Sequence, residues 1–168
     1  MHTLYLLRHA KSSRADSSLA DRERPLAARG RRDSKRIAKH LLENATEPEL
    51  VLCSTAERAR ETLELLRPSL VGSAIDLEDE LYGASADTLL ERLRLVPDEI
   101  ASVMLIGHNP ALQNLALVLA MAGAELEQLE AKFPTAALAT LALTSPTWAQ
   151  LSPAEAVLAD WVVPKQLG

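Results

Sequence analysis

Aromatic side chains are scarce in this chain: two Trp, two Tyr and one Phe make up 3% of its 168 residues. A core of any size must then be built from Leu, Ala and Val, which suits helices packed on a sheet. Cysteine occurs once, at Cys53, so neither an intramolecular disulfide framework nor a Cys-based zinc site is available. The expected compartment is the reducing cytoplasm. The four His lack any HExxH or HxH spacing, which argues against a metal. No uncharged run is long enough to cross a bilayer, and the first apolar stretch follows Met1 without a charged leader. A chain that neither enters a membrane nor is exported is therefore expected. Repeats, low-complexity tracts and linkers are also missing, and the length suits a single domain over residues 1–168.

What is present is a lopsided charge. Residues 1–40 hold eleven Lys or Arg against four Asp or Glu, a balance of +7 within a chain of net −5, which leaves −12 for the rest. The basic quarter should attract anions. Nucleic acid fits poorly, because Asp16, Asp21, Glu23 and Asp33 interrupt the cations and no aromatics are interleaved with them. A small phosphorylated ligand or a phosphorylated protein fits better.

Leu4, Tyr5, Leu6 and Leu7 read as a strand buried on both faces, stopping abruptly at Arg8 and His9. Unpaired, both side chains are costly to bury, so they belong just beyond a strand's carboxyl end, where α/β proteins place ligands. A polar loop leads to Pro25 and a helix over 26–44. Ile37, Ala38, Leu41 and Leu42 form its inward stripe, and Arg29, Arg31, Arg32, Lys35, Arg36 and Lys39 its solvated face. Residues 49–53 form a second strand, with Ser54 or Thr55 capping a helix over 56–67. A third strand at 74–77 precedes the acidic group Glu78, Asp79, Glu80, and a helix over 86–95 stops at Pro97. The clearest strand, 102–106, ends at Gly107, His108, Asn109, Pro110, and Asn109 should cap a helix over 110–122 with Pro110 at its first position. Residues 125–132 read as helix. Residues 137–144 and 147–151 read as two strands or as helix, with Trp161 to Pro164 packed outside the sheet.

Alternating strands and helices predict a three-layer α/β/α sandwich on a mostly parallel central sheet. All parallel carboxyl ends then share one edge, which gathers Arg8, His9, Ser54 to Arg58, Glu80 to Tyr82, and His108. Two His and two Arg beside two helix starts favour an anion with several oxygens.

LLRHAKS, STAERARET and LIGHNP, in that order, resemble the histidine phosphatase superfamily, also called the phosphoglycerate mutase-like family. The short chain, the RHA triplet and the run from Asp21 to Gly30 look most like its small cap-less branch, the SixA-type phosphohistidine phosphatases. The resemblance implies that His9 is the nucleophile, phosphorylated in turnover. Arg8 and Arg58 would grip the phosphoryl oxygens, His108 would stabilise their charge, and Ser12 would place a hydroxyl near the phosphate. No metal or other cofactor is implied. Glu80 is the candidate acid by position, with Asp79 and Asp21 behind it, although Glu78 to Glu80 also reads as a solvated acidic turn. Tyr82 lines the pocket or simply packs, Arg58 could instead pair with Glu61, His2 and His40 are surface or structural, and Cys53 is an inert core residue. The expected substrate is phosphohistidine on a partner protein. Alternatives are a small phosphorylated metabolite, phosphomutase chemistry, or a non-catalytic phosphate-binding module.

Overall fold

A computed structural model describes residues 1–168. Seven strands form one sheet: β1 (His2–Arg8), β2 (Leu50–Ser54), β3 (Ala74–Glu78), β4 (Ser102–Gly107), β5 (Ala120–Ala122), β6 (Leu138–Leu143) and β7 (Ala156–Val162). Their spatial order is β3-β2-β4-β1-β6-β7-β5. The pairs β1/β4, β2/β4, β2/β3 and β5/β7 are parallel, and β6 runs against both its neighbours.

Helices cover both faces because the central strands are apolar on both. Along β1 and β4, Leu4, Leu6, Val103 and Leu105 pack with α3 (Ala86–Arg94), α4 (Ala111–Leu119) and α5 (Leu126–Ala131). Leu7, Met104 and Ile106 pack on the other face with α1 (Ala28–Glu43) and α2 (Glu57–Leu66). The α/β/α expectation therefore holds. Ile37, Ala38 and Leu41 are buried as the helical spacing of α1 requires, while Leu42 is exposed. No helix is long and apolar enough to cross a membrane.

The carboxyl-terminal third departs from the expectation. The helix after Pro110 stops at Leu119, and residues 120–122 become the edge strand β5. Residues 147–151 are not a strand. Trp148 and Leu151 are both fully buried three residues apart, and the Leu151 N–H donates to the Trp148 carbonyl at 3.1 Å, as in a helical turn. Trp161 lies in the sheet, not outside it: β7 pairs with β6, and the Trp161 ring meets Phe133 edge-on at 4.9 Å. The pairing slips between Thr140 and Leu141, so the alternation of β7 breaks at Ala159 and Asp160. That bulge hides the period of two on which a strand is recognised.

Candidate active site

The site follows from strand register. Arg8 pairs with Gly107 across the parallel β1/β4 ladder, so His9 and His108 leave neighbouring strands side by side. The His9 amide donates to the Gly107 carbonyl at 3.0 Å, and the two imidazole centroids lie 5.1 Å apart. On the far side of β4, Cys53 of β2 pairs with Ile106, which brings Ser54 Oγ to 2.8 Å from His108 Nε2. Over these ends opens a cleft of about 390 Å³, lined by Arg8, Lys11, Arg14, Arg24 and Arg58 and by one carboxylate, Asp21. His9, Ser12, Tyr82 and His108 complete the functional lining.

His9 is only 7% exposed, and its Nδ1 lies 2.8 Å from the Ala10 carbonyl. A carbonyl can only accept, so Nδ1 carries the proton and Nε2 keeps its lone pair. Burial pushes the His9 pKa down to about 3, more than the bond to Ala10 raises it. Burial, helped by the nearby Arg58, likewise takes His108 down to about 4. Both rings are neutral at pH 7.

The loop after His9 is held from three sides. The Ala10 amide donates to Thr62 Oγ1 at 3.0 Å, the Ser13 amide to the Pro25 carbonyl at 2.8 Å, and the Lys11 carbonyl accepts from Ala27 at 2.8 Å. Thr62 follows Arg58 by four residues, so both lie on one face of α2. One helix thus supplies a cleft cation and fixes the loop beside it.

The arginines are held differently. Arg8 Nη1 donates to the Phe133 carbonyl at 2.9 Å, while its buried Nε has no partner. Burial and the neighbouring Arg58 lower the Arg8 pKa. Arg58 is 8% exposed, and a buried guanidinium left unpaired would cost several kcal/mol (roughly 3–5). Its partner is Asp21: Nη1 donates to the Asp21 carbonyl at 2.7 Å and Nη2 to the carboxylate at 3.0 Å. The Tyr82 hydroxyl donates to the same carboxylate at 2.7 Å, and Arg24 does so at 2.9 Å. Chiefly through the Tyr82 hydroxyl, and then through Arg58, the Asp21 carboxyl is held down at about 2. Arg24 also donates to the Ser12 hydroxyl.

Arg8, His9, Ser12, Arg58 and His108 thus converge as the sequence predicted, and Tyr82 lines the cleft, its ring edge-on to His108 at 5.5 Å. Arg58 does not pair with Glu61, whose carboxylate accepts the Leu26 amide at 3.1 Å. Glu80 is the correction. It is exposed on the turn Asp79–Leu81 and lines a separate depression with Glu78, Thr88 and Arg92. Leu81 is the residue of that turn that enters the core, so Tyr82 reaches the cleft and Glu80 does not. Asp79 also stands outside, accepting from Thr55 at 2.6 Å and from Arg22. The expected caps shift as well. Neither Ser54 nor Thr55 caps α2, although Ser54 Oγ accepts the Ala56 amide at 3.2 Å. Asn109 accepts the Gln113 amide at 3.3 Å from outside α4. Sequence reasoning placed Ser54 at this edge but not against His108, and it missed Thr62 and Arg24. The length and charge of the loop over 10–25 were the available signal, since long loops inside compact folds are commonly functional.

An α/β sheet edge that gathers two neutral imidazoles and five cations in a small cleft has the chemistry that suits an oxyanion. The pattern of the histidine phosphatase superfamily (branch 1) matches residues 4–89, and the chain belongs to that superfamily. An uncharacterized Mycobacterium tuberculosis protein is 36% identical over 163 residues, covering 95% of this chain and 100% of the relative. Among solved structures, a candidate SixA phosphohistidine phosphatase from Nakamurella multipartitia superposes with a TM-score of 0.84 at 28% identity, covering 97% of this chain and 96% of that one. The protein histidine phosphatase SixA complexed with tungstate gives 0.78 at 25% identity, covering 98% of each chain.

Proposed function

We propose that this protein is a phosphatase that removes a phosphoryl group from phosphohistidine on a partner protein in the cytoplasm, through a phosphorylated His9. The observation that carries this reading is the His9 ring itself, with Nδ1 tied to the Ala10 carbonyl, Nε2 unprotonated, and a ring of cations around it. In the first step Nε2 forms a bond to phosphorus as the substrate P–N bond breaks. The departing imidazole takes its proton from solvent or already carries it. In the second step water attacks the same phosphorus, the Nε2–P bond breaks, and inorganic phosphate leaves with His9 restored. Arg8 and Arg58 offset the phosphoryl charge, and His108 and Ser12 offer hydrogen bonds to its oxygens. A tungstate-bound SixA of the same fold supports a tetrahedral oxyanion as the guest.

The leaving group is inferred from the carboxylate in the cleft. Asp21, held at about 2, is ionised at neutral pH and has no proton to give an alkoxide. Imidazole leaves without that help once protonated, its pKa being about 6.5. Phosphate release should therefore be measured from phosphohistidine, phosphoserine, phosphotyrosine and sugar phosphates, together with label retained on the protein. Preference for phosphohistidine, with label on His9 that His9→Ala abolishes, supports the reading. A preference for sugar phosphates would move it to a small metabolite, and oxyanion binding with neither label nor release would reduce the protein to a binding module.

A further inference from the structure

A second concavity of about 410 Å³ lies beside the cleft, and Thr135 lines both. Its charged lining is Arg29, Arg32 and Arg36 from α1, Lys132 after α5, Lys165 in the terminal turn, and one acid, Asp33. Asp33 is buried and already shared, with Arg36 at 3.1 Å and Arg29 at 3.9 Å. Arg32, Lys132 and Lys165 are exposed and have no carboxylate within ion-pair distance. Five cations against one acid stand here on a chain of net charge −5.

The shape of this charge distinguishes its ligands. The three arginines recur at i, i+3 and i+7 of one helix, a row about 10 Å long at 1.5 Å per residue. A single tetrahedral anion is better gripped by converging forks, as in the cleft next door. A row instead matches a row of carboxylates, spaced about 6.6 Å apart on one side of an extended chain. Pro134 and Pro164 add apolar contact for such a backbone.

We propose that this groove docks an acidic stretch of the phosphorylated partner protein, with the phosphohistidine reaching the cleft past Thr135. The inference rests on the phosphatase reading above and adds the substrate's charge. Carboxylates flanking the phosphorylated residue meet the α1 row and the two lysines, which raises the local concentration of that substrate and orients it.

The test uses two synthetic phosphohistidine peptides of equal length, one with Glu and one with Gln at the flanking positions. Wild-type protein should release phosphate from the Glu peptide with about tenfold higher kcat/KM at low salt, an advantage that fades as screening increases. The triple variant Arg32→Gln, Lys132→Gln, Lys165→Gln, altered only at exposed positions, should lose that preference while hydrolysing phosphoramidate at the wild-type rate. Equal kcat/KM for the two peptides in wild-type protein, or a preference that survives in the triple variant, overturns the proposal. So does a charge-dependent gain confined to small bisphosphates. If no substrate releases phosphate, the phosphatase reading fails by itself. Fluorescence anisotropy of the labelled, unphosphorylated peptides then decides docking: tighter binding of the Glu peptide that the triple variant loses supports it, and equal binding refutes it.

Discussion

Gly30 packs directly against the backbone of Lys11: a Cβ at Gly30 would overlap the Lys11 carbonyl oxygen and lie 3.0 Å from its nitrogen. The glycine costs α1 some intrinsic helicity, roughly 1 kcal/mol, and in return lets the helix support the loop that follows His9. Gly30→Ala should therefore shift that loop, lowering kcat for phosphate release at least tenfold and stability by about 1–3 kcal/mol. A variant with unchanged turnover and an unchanged or higher Tm would show that the close approach has no bearing on the site.

The two buried imidazoles should be visible in the pH dependence. Unfolded, each takes a proton near pH 6.5, whereas His9 and His108 resist it down to about 3 and about 4. Between those values the unfolded chain binds more protons. Their contribution is thus fully present above about pH 6.5 and is lost as pH falls toward the folded values, at most roughly 8 kcal/mol in total. Denaturant titrations from pH 7 to pH 4 should show this loss, and the double variant His9→Asn, His108→Asn should flatten it. Imidazole nitrogen spectra should find both rings neutral at pH 5.5, with His9 protonated on Nδ1. Titration of either ring near 6.5 would contradict the burial argument.

How far the site could be read from the chain depends on which residues the sheet itself places. Arg8, His9 and His108 sit within two residues of strand ends whose apolar runs are unmistakable, so the edge they share was legible. Arg58 follows from the helix after β2. Glu80 was misplaced because proximity to a strand end does not say which way a short turn faces, and the buried Leu81 decides it. Asp21 lies in a loop whose path is set by contacts to Arg58 and Tyr82, residues 37 and 61 positions away, and no local pattern carries that information. The bulge in β7 has the same character, since it depends on a slip against β6.

Asp21 puts a negative charge into a cleft otherwise lined by cations. Its carboxylate holds Arg58 yet repels an incoming phosphate. Asp21→Asn keeps an oxygen for Tyr82 and Arg58 and removes the charge, so inorganic phosphate should bind several-fold tighter by calorimetry. Weaker binding would mean that orienting Arg58 outweighs the repulsion. Tyr82→Phe removes the largest influence keeping Asp21 acidic, so the Asp21 carboxyl should titrate higher, a change readable from its carbon resonance.

Ser54 is fully buried, with two claims on its hydroxyl: it accepts the Ala56 amide at 3.2 Å and meets His108 Nε2 at 2.8 Å. With a lone pair already given to Ala56, the hydroxyl can spend its proton on Nε2, which leaves the His108 proton on Nδ1, the ring nitrogen that has no partner in the protein. Fixed in this way, the His108 ring holds a single tautomer under the cleft instead of dividing between two. Ser54→Ala removes the acceptor for Ala56 as well, so stability should fall by about 1–3 kcal/mol. Lost packing alone would also do that, and the tautomer separates the two. The variant should give nitrogen spectra in which His108 divides between Nδ1–H and Nε2–H, and kcat for phosphate release should drop about tenfold with KM nearly unchanged. If His108 keeps a single Nδ1–H form in Ser54→Ala, the serine does not set the proton, and its place beneath the imidazole is one of packing.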